Sequence, residues 1–165
     1  MALIGFMGAG KSAVGKDLAK RLAMDYVDLD AVIEQKEGRS ITQIFQESGE
    51  PYFRRREKDM VKEYAGKVNQ VIACGGGVVM DRENTEWLKK SGTLIYLKAS
   101  PEAILKRTQN YQHRPLLNVP DPKKKIEELL KIREPLYAQA DFIVDTSDND
   151  IPRVVAEILS RIKND

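Results

Sequence analysis

Five short apolar runs punctuate the chain: Ala2-Leu3-Ile4, Tyr26-Val27, Val71-Ile72-Ala73, Thr93 to Leu97 and Phe142 to Val144. Their length and apolar continuity predict strands. A helical pattern follows each. From Lys11 to Met24, Val14, Leu18, Ala19 and Leu22 recur at helical spacing. A second pattern runs from Pro51 to Tyr64, and a third, from Lys123 to Ala138, carries Ile126, Leu129, Leu130, Ile132 and Leu136. The last begins near Pro152 and places Val154, Val155, Ile158, Leu159 and Ile162 on one stripe. Ser40-Ile41-Thr42-Gln43 reads as a capping box. Ser100-Pro101 reads as an N-cap followed by proline at the first helical position. Strands alternating with helices predict an α/β protein in three layers, a parallel sheet covered on both faces.

Composition adds limits rather than detail. A chain of 165 residues with 42% apolar side chains suits a single domain with one sizeable core. With 27 basic and 25 acidic side chains the net charge is +2, so the footprint of a nucleic-acid binder is missing. No apolar run approaches the ~20 residues that cross a bilayer. With a strand starting at Ala2, no secretory leader is expected. The lone Cys74 cannot form an internal disulfide, which fits a reducing cytoplasm.

The chemistry starts between the first strand and the first helix. Gly5-Phe6-Met7-Gly8-Ala9-Gly10-Lys11-Ser12 satisfies G-x-x-x-x-G-K-[ST], the phosphate-binding loop. A strand that turns through glycines into a helix aims backbone N–H groups and the helix dipole at one spot, where an anion is stabilised. In such loops the lysine, here Lys11, reaches the β- and γ-phosphates, and the hydroxyl, here Ser12, faces Mg²⁺. The stretch from Thr108 to Pro122 has no clean period and contains Pro115, Pro120 and Pro122. It is expected to be a lid carrying Arg114, because phosphoryl transfer requires water to be excluded; an idle surface loop is the alternative.

Other polar groups sit where ligands bind in parallel sheets, after the carboxyl ends of strands. Asp28 and Asp30 follow the second strand, and in extended chain their carboxylates would share a side. One would hold Mg²⁺ through water and the other orient or deprotonate an acceptor hydroxyl; an aspartate N-cap is the competing reading, and one aspartate could do both jobs. Gly75-Gly76-Gly77 would let backbone N–H groups approach a ligand. Of Arg54, Arg55 and Arg56 at most two can face one ligand, and Arg55 and Arg56 are read as solvated. Arg133 is equally readable as a ligand-facing group or a surface salt-bridge residue. His113 has no partner for a metal site, and no Cys/His cluster points to zinc.

Taken in order, the phosphate loop, Asp28-Leu29-Asp30, Phe53-Arg54-Arg55, Gly75-Gly76-Gly77, Arg114-Pro115-Leu116-Leu117 and Arg133-Glu134-Pro135-Leu136-Tyr137 resemble the shikimate kinase family over essentially the whole chain. The resemblance implies one domain over residues 1–165, with sheet order 2-3-1-4-5, a lid over 108–122 and a shikimate-binding helical region over 29–64. It implies ATP and Mg²⁺ as cofactors and phosphorylation of the 3-hydroxyl of shikimate, a step toward aromatic amino acids. The implied setting is a cytoplasmic monomer with neither nucleic acid nor membrane as partner. Gly8, Ala9, Gly10, Lys11, Ser12 and Ala13 would hold the nucleotide phosphates, with Arg107 and Pro152 beside adenine. Asp28 would serve the metal with Ser12, and Asp30 the shikimate hydroxyls. Arg54 and Arg133 would clamp the substrate carboxylate over Gly75, Gly76 and Gly77, and Arg114 would touch the transferring phosphate. Ala13 stands where many members carry a second hydroxyl, so one phosphate contact is missing; Cys74 takes no role. Kinases acting on gluconate or a nucleoside monophosphate, or a non-catalytic nucleotide-binding paralogue, are the alternatives.

Overall fold

The computed structural model describes residues 1–109, 117, 119–148 and 150–163. Its five strands are β1 (Ala2–Ile4), β2 (Asp25–Asp28), β3 (Gln70–Ala73), β4 (Leu94–Lys98) and β5 (Phe142–Asp145). They form a parallel sheet in the order β2-β3-β1-β4-β5, as expected. Leu3 in central β1 lies opposite Ala73 of β3 and Ile95 of β4. Period-two alternation explains why the sheet needs cover on both sides. Leu3, Val71, Ile95, Leu97 and Val144 enter one core, while Ala2, Ile4, Ile72, Leu94 and Tyr96 enter the other.

Helices cover each face. On the first, α1 (Lys11–Leu22) contributes Val14 and Leu18, and α7 (Ile151–Ile162) contributes Val154, Val155 and Ile158. On the second, α2 (Leu29–Glu37), α3 (Ile41–Ala65) and α4 (Arg82–Lys90) contribute Leu29, Ile33, Phe53, Met60 and Leu88. Burying each of the larger apolar side chains stabilises the fold by about 1.5–3 kcal/mol. α5 (Pro101–Thr108) and α6 (Pro122–Tyr137) flank the stretch expected to be a lid. Tyr137 at the end of α6 stacks on Tyr96 with ring centroids 4.9 Å apart. No helix among the described residues is long and apolar enough to cross a membrane.

Element ends show where local chemistry overrides period. α1 stops at Leu22 rather than Met24 because Ala23 turns left-handed, at φ 52°. The Ser40 capping box forms in full, with Gln43 reaching back to the Ser40 amide. α3 breaks at Gly49 (φ 80°), so Pro51 opens its second half, where the sequence pattern begins. The carboxyl ends of β1, β2 and β3 and the starts of α1 and α2 therefore meet at one edge of the sheet, the place where open parallel sheets bind ligands.

Candidate active site

Each helix from α2 to α7 is capped by a side chain: Asp28, Ser40, Asp81, Ser100, Asp121 and Asp150. α1 is not. Gly10 stands at its N-cap with φ 92°, no side chain caps it, and no acid occupies its first turn. Its amides are thus left for an anion. Gly5, at φ 144°, passes so close to the Leu97 carbonyl that a Cβ would overlap it. Lys11 folds back across the loop and donates from Nζ to the carbonyls of Gly5 (2.8 Å) and Phe6 (2.9 Å). That holds its ammonium over the cradle. A cleft of about 550 Å³ opens here, lined by Gly8, Gly10, Lys11, Ser12, Ala13, Asp28, Asp30, Gly76 and Arg107 among others.

Asp28 caps α2 with one oxygen and turns the other to the cleft, the double use that the sequence left open. Oδ1 caps α2, accepting from the amides of Asp30 (3.1 Å) and Ala31 (3.4 Å). Oδ2 faces the cleft and accepts from the hydroxyls of Ser12 (3.1 Å) and Tyr26 (3.2 Å). Burial pushes the Tyr26 hydroxyl up to about 12, with the Asp28 carboxylate adding in the same direction, so it remains a donor. Room for the Tyr26 ring comes from Gly15, whose added Cβ would stand 2.7 Å from it. Asp30 is not in extended chain, contrary to the spacing argument. It is the second residue of α2, because β2 ends at the capping Asp28, yet it still lines the cleft. Asp28 Oδ2 and the Ser12 hydroxyl are hard oxygen donors, and two such groups suit Mg²⁺, an ion that keeps waters and phosphate oxygens in its shell.

A second group of charged side chains gathers on the glycine turn after β3. A Cβ on Gly77 would overlap the Arg54 guanidinium, and one on Gly75 would stand 2.5 Å from Glu57 Oε1 and 2.9 Å from Asp30 Oδ1. The glycines therefore seat charged side chains against the backbone. Arg54 donates to Glu57 Oε2 (2.7 Å) and to Glu50 Oε1 (3.0 Å). Arg133 is 5% exposed and donates to the Gly76 carbonyl at 3.3 Å, which excludes the surface salt-bridge reading. Tyr137 donates to the same carbonyl. Burial pushes the Glu57 carboxyl up to about 7, against the pull of Arg54.

Several residues fall elsewhere. Arg107 reaches the cleft but spends its donors on the carbonyls of Gly8 (3.0 Å), Thr146 and Ser147 (3.1 Å), bracing the phosphate loop. Pro152 is the exposed second residue of α7 and is not among the residues lining the cleft. Ala13 is exposed at the cleft rim. Arg55 is exposed, as expected, but Arg56 is not simply solvated: it bonds Glu37 (2.5 Å) and Asp59 (3.2 Å), tying α2 to α3. Cys74 is buried and burial pushes its thiol up, which fits an inert role. Arg114, His113 and most of the expected lid lie outside the described residues. Glu57, Tyr26 and Tyr137 were not singled out from sequence. Glu57 did leave a signal, an acid on the apolar stripe of Phe53, Met60 and Val61, three residues from Arg54.

A family model for shikimate kinase matches residues 7–163. A shikimate kinase of Caldanaerobacter subterraneus is 45% identical over 96% of this chain and 93% of the relative. One from Thermodesulfovibrio yellowstonii is 48% identical over 95% of this chain and 90% of the relative. Among solved structures, shikimate kinase from Acinetobacter baumannii in complex with shikimate superposes with a TM-score of 0.96 at 39% identity, covering 99% of this chain and 92% of that one. With the phosphate cradle, the sheet order and the arginine-lined glycine turn already in place, these likenesses show that the chain belongs to the shikimate kinase family.

Proposed function

We propose that the chain transfers the γ-phosphoryl group of ATP to the 3-hydroxyl of shikimate, giving shikimate 3-phosphate for aromatic amino-acid biosynthesis. The observation that carries this reading is the pairing of Arg54 and Arg133 on one glycine turn beside Asp30. Two guanidiniums next to a carboxylate suit an acceptor with a carboxylate at one end and hydroxyls at the other. A nucleoside monophosphate would bring a dianion toward Asp30, and gluconate lacks the rigid ring that sets carboxylate and hydroxyl at a fixed separation.

Phosphoryl transfer leaves the protein mainly positioning and charge to supply. Gly8, Ala9, Gly10 and the α1 amides hold the phosphates, Lys11 neutralises charge on the transferring group, and Arg107 keeps the loop in shape. Asp30 accepts the proton of the attacking hydroxyl as its oxygen bonds to the γ-phosphorus and the bond to the bridging oxygen of ADP breaks. Arg114, from the lid, meets the phosphoryl group after closure. Ser12 and Asp28 would hold Mg²⁺, which when bound offsets charge on the β- and γ-phosphate oxygens. Residues 29–64 supply the acceptor-binding helices. We place the enzyme in the cytoplasm, where the thiol of its lone Cys74 stays reduced, and read it as a monomer, since the groups invoked come from one chain.

The test is a transfer assay with labelled ATP against shikimate, gluconate and a nucleoside monophosphate. Label is expected in shikimate alone; preferred labelling of either of the others overturns the reading.

A further inference from the structure

Glu57 is placed unlike the other charged groups at the acceptor end. It is 1% exposed, its Oε2 pairs with Arg54 at 2.7 Å, and its Oε1 is buried with no hydrogen-bond partner. An ionised carboxylate with one oxygen left bare in the interior is costly. Oε1 also converges with Asp30 Oδ1 on the space above Gly75, and neighbouring carboxylates resist ionising together. Among the described residues, the groups around this cluster come from several elements. Arg54 and, behind it, Glu50 belong to α3; Asp30 to α2; Arg133 and Tyr137 to α6; Cys74 follows β3 and is itself acted on by Lys11 of α1 and Asp28 of β2. Arg54 and Arg133 are the two cations that receive the acceptor's carboxylate under the reading above.

We propose that Glu57 is a proton-coupled positioning residue: capture of an acceptor carboxylate by Arg54 and Arg133 draws a proton from solvent onto Glu57. The inference rests on the shikimate reading. An incoming carboxylate shares Arg54 with Glu57, adds a second anion nearby and excludes water, and each change favours the protonated form of Glu57. The proton resides on Oε1, the oxygen without a partner, and a neutral Glu57 releases more of the Arg54 guanidinium to the acceptor. The free chain is poised for this, because burial already pushes Glu57 up to about 7.

The sign follows. Binding raises a group that is already raised, so protons are taken up, and acceptor affinity falls as pH climbs above 7, by at most about tenfold per pH unit. The experiment is calorimetric titration of shikimate into the full chain at pH 7 and pH 8, each in PIPES and in Tris. The dependence of the measured heat on buffer ionisation heat counts protons. Uptake is expected at both pH values, at most about 0.5 proton per shikimate at pH 7, where free Glu57 is already half protonated, and up to about 0.9 at pH 8. E57Q is expected to bind shikimate with uptake near zero and an affinity that no longer varies with pH. Binding by the unaltered chain without proton uptake overturns the proposal and leaves the acceptor reading standing; failure of shikimate to bind overturns both. The unaltered chain decides the matter even if E57Q does not fold. Full uptake retained in a folded E57Q assigns the proton elsewhere and also overturns the role of Glu57.

Discussion

The phosphate loop and the charged cluster on the glycine turn after β3, the nucleotide and acceptor ends of the proposed reading, are built by different means. At the nucleotide end the groups are consecutive, Gly5 to Ser12, and largely backbone: one uncapped helix start, glycine turns and a lysine folded onto its own loop. At the acceptor end they are side chains from α2, α3 and α6 brought onto one glycine turn, with Arg54 already engaged by Glu57 and Glu50. A backbone cradle binds phosphate whatever is attached to it. Under the proposed reading a dispersed set of side chains specifies one acceptor, and each of its contacts can be removed singly. The two ends should therefore respond differently to substitution.

The largest effect is expected at Arg114, which the proposed reading assigns to the transferring group. Arg114→Ala should lower turnover by on the order of 10³-fold with ATP affinity nearly kept. Steady-state turnover and equilibrium ATP binding, measured together, check this; lost ATP affinity with turnover preserved at saturation would make Arg114 a nucleotide-end residue.

Asp30→Asn should reduce turnover by about 10²–10⁴-fold and leave ATP binding intact, since it removes only the charge that receives the hydroxyl proton. Single-turnover quenching with labelled ATP gives the chemical step directly, and a loss under about tenfold would contradict its role. Arg54→Ala and Arg133→Ala should each weaken shikimate binding by one to two decades, roughly 1.5–3 kcal/mol, and ATP binding little. Calorimetry on the free enzyme distinguishes this from a shared loss, which would mean that the ends are not separable.

The smallest effect is expected at Tyr26. Tyr26→Phe removes one donor from Asp28 Oδ2 and leaves the Ser12 contact. A few-fold higher Mg²⁺ requirement for nucleotide binding should follow, about 0.5–1.5 kcal/mol. Titrating Mg²⁺ at fixed nucleotide measures it, and an unchanged requirement would remove Tyr26 from the nucleotide end.

The same contrast explains what was legible before folding. The phosphate loop is contiguous, so its letters and its geometry coincide. The sheet order came with the family resemblance, whereas the strands themselves were visible as apolar runs. Asp28 was readable as cap, cleft group or both, and only the folded chain shows its two carboxylate oxygens turned to separate partners. Arg133 was undecided since burial under Gly76 is a tertiary fact. Arg56 was read as solvated because its partner Glu37 lies on another helix. Glu57 went unnoticed for a related reason: an acid on an apolar stripe acquires meaning only once Gly75, Arg54 and Asp30 surround it.

Calorimetric comparison of shikimate with its carboxamide tests most directly whether the acceptor end is a carboxylate clamp. The two ligands have nearly the same shape and differ in charge at one end. Shikimate is expected to bind at least tenfold more tightly, by about 1.4 kcal/mol or more, and Arg54→Ala should shrink that difference. Equal affinity for the two ligands would contradict the clamp, and with it the assignment of Arg54 and Arg133 to the acceptor's carboxylate.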